Sequence, residues 1–292
     1  MTRSPADLNI YVTIEVPMEY AAYKIIAGRD IKKELLAIEK YFEVFLKGQK
    51  LGRIYWGSES CVRLLPSTTQ LQQLLSIFKR KKLSLTLVSP AMLNDQGIIR
   101  LRGIFDHLNS ATQRTEVVVN DWGALELLQE YSNLTPLFGR LLNKGEKDPR
   151  PRYKELGKAR LKILRSPITA NQEMIKYLIS QKVAGIEFDN LGQGFEFGGK
   201  TPKINLHIYY PLVATSLTRV CLFASTFLPE KKKFRAKGCK NECLDYILER
   251  DKIETKASQG YKAYQISQGI YYENYKVPDD LGRFKRIVIT II

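Results

Sequence analysis

The feature that most restricts this chain is the alternation of short β-type segments with helix-type segments along nearly its whole length. "LNIYVTIEV", "GRIYWG", "LSLTLVS", "TEVVVN", "LTPLFGR", "GIEFDN", "INLHIYYPLV" and "KRIVITII" are rich in β-branched and aromatic residues, as strands are. Between them, "DIKKELLAIEKYFEVFLKG", "GIIRLRGIFDHLN" and "WGALELLQEY" repeat apolar residues at helical spacing. Ser67–Gln70 and Thr169–Gln172 read as capping boxes. After the first, Leu71, Leu74, Leu75 and Phe78 fall on one helical face; the second is expected to open the helix "EMIKYLISQKV".

Alternation of this kind implies a mainly parallel sheet covered by helices. About eight strands in 292 residues predict a single α/β domain over residues 1–292, a (β/α)8 TIM-like barrel of somewhat irregular form. An open doubly wound sheet is the alternative. Neither G-x-G-x-x-G after the first strand nor G-x-x-x-x-G-K-[ST] anywhere supports it. "NKGEKDPRPRYKELGK" reads as a charged excursion too short to be a domain.

Charge narrows the partners. The net charge is +16, and Arg140–Arg165 alone holds ten basic and three acidic residues. "KRKK" at Lys79–Lys82 and "KKKFRAK" at Lys231–Lys237 add to it. Such a field favours anions: nucleic acid, an acidic protein, an anionic membrane surface or a carboxylate substrate. The start "MTRSPADLNIYVTIEVP" lacks the apolar core of a signal peptide, and "IVITII" is too short to span a bilayer. The expectation is a cytoplasmic protein without a transmembrane segment.

In a barrel the loops that follow the strands build the site. Those loops carry Glu59 and Cys61, Asn120 and Asp121, Arg140, then Glu187, Asp189 and Asn190, then Arg219 and Cys221. Cys239 and Cys243 follow in the same segment, beside Lys237 and Lys240, whose charges favour thiolates. Read as a helix, "CKNECLDYILER" puts Cys239 and Cys243 on one face. The four cysteines are the only ones in the chain. In a reducing compartment they read against two structural disulfides. Spacing alone leaves three readings open: buried small hydrophobes, a zinc site, or an iron–sulfur cluster. With His107 and His207 the only histidines, a His-rich catalytic zinc site is not expected. His207 reads as structural.

Taken in order, "EVVVNDWGALELL", "TPLFGRLLNKGEKDPR", "GIEFDN" and "TRVCLFAS…GCKNEC" resemble the collagenase-like peptidase family U32. The resemblance implies a barrel. It also implies kinship with members that carry a [4Fe-4S] cluster and take part in oxygen-independent hydroxylation, of ubiquinone precursors or of RNA, with prephenate as implied oxygen donor. The cysteine order, one early and then C-x17-C-x3-C, is most similar to the smaller ubiquinone-pathway subunit. It implies Cys61, Cys221, Cys239 and Cys243 as cluster ligands and a homologous partner subunit.

The remaining candidates follow from chemistry. Arg140, Arg150 and Arg219 are expected to bind an anionic small molecule, since a guanidinium grips a carboxylate with two prongs. Asp121, Glu59 and Glu187 are candidate catalytic carboxylates, with helix capping the competing role for Asp121. Neither G-x-S-x-G nor H-E-x-x-H is present, so proteolysis has no visible machinery. Three functions remain: a hydroxylation component, an RNA-binding modification protein, and a hydrolase or scaffold with structural cysteines.

Overall fold

A computed structural model describes residues 19–24, 30–45, 50–149, 153–197, 204–219, 221–226, 239–250, 263–276 and 280–291. Its first half alternates as the sequence predicts. Strand β1 (Glu19–Lys24) leads to helix α1 (Ile31–Phe45), β2 (Leu51–Gly57) to α2 (Thr68–Lys81), and β3 (Ser84–Val88) to α3 (Asp95–Asn109). Strand β4 (Thr115–Val119) leads to α4 (Trp122–Leu128). After β5 (Leu134–Phe138) come α5 (Lys158–Arg165) and α6 (Gln172–Ser180), then β6 (Gly185–Asp189) and β7 (Asn205–Tyr210).

The chain then leaves the alternation. Strand β8 (Leu212–Leu217), helix α7 (Leu222–Thr226), and strands β9 (Leu248–Arg250), β10 (Ala263–Ile266) and β11 (Gly269–Glu273) precede the final strand β12 (Arg286–Thr290). The barrel closes in the order β1-β12-β7-β6-β5-β4-β3-β2 with parallel pairing throughout. The other four strands form an antiparallel sheet, β8-β11-β10-β9. The fold is therefore a (β/α)8 barrel with a small sheet inserted before its last strand.

Two expectations change, and a third falls where the structure describes nothing. "LNIYVTIEV" lies outside the described residues, and the strand pairing with β12 is the less conspicuous Glu19–Lys24. "INLHIYYPLV" is two strands, divided at the cis Tyr210–Pro211 bond. Proline has no N–H to give a ladder, so the barrel strand ends there and the chain joins the second sheet. At α6 the cap is Asn171, whose side chain accepts the Glu173 N–H. Thr169 sits in a 3-10 turn and donates to Asn143 Oδ1 instead. The Ser67 capping box is present as read.

Helix periodicity shows where the core lies. Ile31, Leu35, Ile38 and Phe42 of α1, and Leu101, Ile104, Phe105 and Leu108 of α3, are buried against the outside of the barrel. Inside, alternate strand residues meet: Ala21, Tyr23, Tyr55, Val88, Val118, Leu137, Tyr209 and Val288. At the end where the strands begin, Arg286 bonds Glu19, Glu116 and the Tyr55 hydroxyl, and Arg53 bonds Glu19 and Thr86. Burial alone would raise the Glu116 carboxyl, but the bonds and charges of Arg286 and Arg53 outweigh it and hold it low.

Burial pushes the phenols of Tyr23, Tyr55 and Tyr209 well above their ordinary value. A raised phenol favours the neutral form in the folded state. The stability it contributes is complete below pH about 10, the unfolded value, and drains as pH rises beyond it. In an alkaline titration followed by tyrosinate absorbance, these three are expected to ionise only together with loss of the near-ultraviolet circular dichroism of the fold. Early ionisation of every tyrosine in a protein still folded would contradict this packing.

Candidate metal centre and its cleft

The four cysteines come from separate stretches and pack together. Cys61 ends the loop after β2, where its N–H bonds the Ser58 hydroxyl, and it opens a 3-10 turn over Val62–Leu64. Cys221 precedes α7, and the Ala224 N–H points at its sulfur. Cys239 accepts from the Asn241 N–H at 3.4 Å. Cys243 lies in the 3-10 turn Glu242–Leu244. Cys221 and Cys243 are buried with Leu64, Phe223 and Ala224, and Cys61, Cys239 and Leu244 pack against that group.

No disulfide joins any of them. The helix expected from Cys239 onward is not formed. Asn241 takes a left-handed conformation (φ 64°), which no continuing right-handed helix admits, and the chain runs from the short turn into β9. The two cysteines therefore meet across a turn rather than along a helical face. Lys237 lies outside the described residues, and Lys240 is exposed.

Burial dominates the electrostatics of the cluster where they are resolved, at Cys61 and Cys243. Burial pushes the Cys61 thiol up; the backbone N–H groups of Arg63 and Leu64 pull it down, while negative charge on Cys221 or Cys239 would push it further up. Burial pushes the Cys243 thiol up to about 12, with its three cysteine neighbours adding to the rise. Four thiolates here would repel one another in a poorly solvated space, so ionising them together needs a positive centre. The donor set, sulfur throughout with N–H groups turned toward it, fits a thiophilic metal or an iron–sulfur cluster. As they stand, the described residues contain no set of three His, Cys, Asp or Glu side chains already arranged to hold a metal ion.

Beside the cysteines, where the barrel strands end, lies a clamp. Arg140 is fully buried, with its guanidinium between two carboxylates. Nε and one terminal nitrogen donate to Glu59 at 2.7 and 2.6 Å; the other donates to Asp189 at 2.9 Å and to the Leu212 carbonyl at 2.6 Å. The guanidinium also lies 3.9 Å from the centre of the Tyr209 ring. Lys147 bonds the second Asp189 oxygen, and the Ala214 N–H bonds the first. Backbone crowding positions the clamp: a Cβ on Gly139 would meet Asn120 Oδ1 at 2.1 Å and the Val119 carbonyl at 2.6 Å.

Several of the expected site residues have partners within the protein. Arg140 has its charge satisfied by Glu59 and Asp189 and is not among the residues lining the cleft described below. Glu59 is its partner, equally buried. Glu187 lies inside the barrel, accepting from the Tyr55 hydroxyl and facing His207 Nδ1. Asp121 caps α4, with Oδ1 accepting from Gly123 and Oδ2 from Leu93. Arg150 lies outside the described residues. Arg219 is exposed and lines a cleft.

That cleft has a volume of about 950 Å3 and runs between the barrel mouth and the inserted sheet. Asn120, Trp122, Lys144, Lys147, Arg219 and Tyr271 are among its walls. A second pocket of about 70 Å3 reaches Cys243, and Tyr271 lines it as well. Tyr271, Lys147 and Lys144 were not sequence candidates. Lys144 and Lys147 sat in a segment read only as a charged excursion, and Tyr271 belongs to "GIYYENY", which carries no motif.

No protein-family profile matches this chain, and no curated protein does. Among solved structures, that of a U32 peptidase is similar over 99% of this chain and 98% of its own length, at 10% identity and a TM-score of 0.44. So loose a superposition transfers neither residues nor activity.

The clamp generates a test. Removing one member of a buried ion pair typically costs about 3–5 kcal/mol, because the partner charge is left stranded. Arg140→Ala is expected to lower the unfolding free energy by that order in denaturant titrations, and Arg219→Ala by less than about 0.5 kcal/mol. Equal effects of the two changes would contradict the assignment.

Proposed function

We propose that Cys61, Cys221, Cys239 and Cys243 bind a [4Fe-4S] cluster and that the chain is a U32-like component of an oxygen-independent hydroxylation. One observation carries this reading. All four cysteines of the chain, drawn from three separate segments, pack together beside a large cleft at the catalytic end of a barrel. The order of the quoted motifs and the cysteine spacing support the same reading.

A bound cluster would supply one-electron chemistry. The chain's own residues do the rest. Arg219 and Lys144 offer positive charge at the cleft to an anionic, prephenate-like donor. Trp122, Tyr271 and Tyr272 offer apolar surface to its body. The Arg140–Glu59–Asp189 clamp keeps the mouth rigid. A homologous U32-like subunit is the proposed partner, and a single zinc ion is the competing occupant of the four thiols.

Anaerobic purification followed by iron and sulfide analysis tests this. About four irons and four sulfides per chain, with broad absorption in the visible, are expected of the wild type. Alanine at any one of the four cysteines is expected to strip or destabilise the cluster. Full iron in Cys61→Ala would rule out the four-thiolate site, and stoichiometric zinc without sulfide would replace the cluster by the metal ion.

One observation favours a second reading, RNA as the molecule acted on. Helix α5 buries none of its residues and exposes Lys158, Arg160 and Lys162, just after the excursion whose first residues line the cleft. A protein held on phosphates by such residues loses affinity steeply with salt. Log affinity for a single-stranded RNA is expected to fall linearly with log salt. The slope should shrink by about two when Lys158, Arg160 and Lys162 become Gln, given about 0.7 per phosphate contact. A salt-independent or undetectable affinity would remove RNA as partner.

A further inference from the structure

We propose that Tyr271 is a positioning residue: its ring is the partition between the cysteine cluster and the cleft, and it keeps a cleft-bound molecule off the thiols. The inference rests on reading the cysteines and the cleft as one site.

Tyr271 lines both the small pocket that reaches Cys243 and the large cleft, and among the described residues no other lines the two. It is almost wholly buried, packed with Ala91, Leu141, Leu212 and Ala214. Its placement is determined from several sides. Strands β8 and β11 pair Ile270 with Ser216 and Tyr271 with Ala214, leaving Thr215 as an extra residue. Thr215 spends its hydroxyl on the Ile270 carbonyl. A bulge of this kind re-aims the side chains beside it. From there the Tyr271 hydroxyl reaches Glu59 Oε2 at 3.4 Å, and Glu59 is itself held by two Arg140 nitrogens. Behind the ring lies Gly269, where an added Cβ would stand 2.5 Å from Tyr271 Cε2 and 2.6 Å from its hydroxyl oxygen. Glycine there is what leaves room for the ring.

Ring and hydroxyl therefore have separable jobs. The ring fills the space between the cleft and Cys243; the hydroxyl ties it to the clamp. A molecule in the cleft meets the edge of a phenol rather than sulfur. The reach of the site toward a ligand is set by an aromatic side chain from the inserted sheet, not by a barrel strand.

Site-resolved alkylation of the full-length, metal-free chain tests the partition, with iodoacetamide as probe and mass spectrometry assigning each cysteine. In the wild type Cys243 is expected to react slowly, being buried. Tyr271→Ala is expected to speed Cys243 alkylation about tenfold or more while Cys61 keeps its wild-type rate, because a local opening exposes only what lies behind it. Gly269→Ala, which displaces the ring without deleting it, is expected to act in the same direction. Tyr271→Phe keeps the ring and should leave the rate within about twofold of wild type. Wild-type Cys243 reactivity in Tyr271→Ala would overturn the proposal. So would equal acceleration of all four cysteines, which would report general loosening. Because no metal is needed, this outcome is independent of the iron analysis: a partition without iron, or iron without a partition, are separate results.

Discussion

The Arg140 guanidinium is the point on which the end of the barrel where its strands finish depends. It joins the loop after β2 through Glu59, the end of β6 through Asp189, and the start of the inserted sheet through the Leu212 carbonyl. A buried cation surrounded in this way is stable only while every partner stays in place. That makes the cluster of contacts a geometric specification more than a source of net stability. The barrel mouth and the extra sheet are locked in one relative position, and the cleft between them keeps its shape.

The four thiols obey the opposite logic. Left alone they pack as small apolar groups, and burial together with neighbouring thiols makes Cys61 and Cys243 harder to ionise. A metal centre would reverse the sign of every one of those interactions, turning mutual repulsion into shared attraction for the same charge. The site is thus poised to gain most from an occupant of high positive charge.

Much of the fold was legible in the sequence because its signals are local. The 3.6-residue periodicity of α1 and α3, the Ser67 capping box and the β-branched runs of β3 and β4 are each stated within fifteen residues or fewer. What was missed depends on distant partners. Glu19–Lys24 is a strand because β12 and β2 flank it, not because "EYAAYK" is strongly β-forming. The inserted sheet is built of strands of three to six residues without a clear alternation. Within the site, the convergence of the cysteines was readable from their number and order, but the route was not, since the left-handed Asn241 is a property of the turn. The arginines show the limit most plainly. Position on a strand end was right for Arg140, yet whether a guanidinium faces substrate or a carboxylate of its own protein is decided by residues 49 and 81 positions away.

The closure of the barrel has a temporal side. Strand β12 lies between β1 and β7, so the first and last described strands are hydrogen-bonded neighbours across some 270 positions of chain. During synthesis the wall stays open until the final strand has left the ribosome, and pairings of such separation form late. The segment carrying Cys221, Cys239 and Cys243 is made just before that last strand, long after Cys61. Assembly of the thiol pocket and closure of the cylinder therefore both wait on the late-made part of the barrel and belong to the same late stage of its folding.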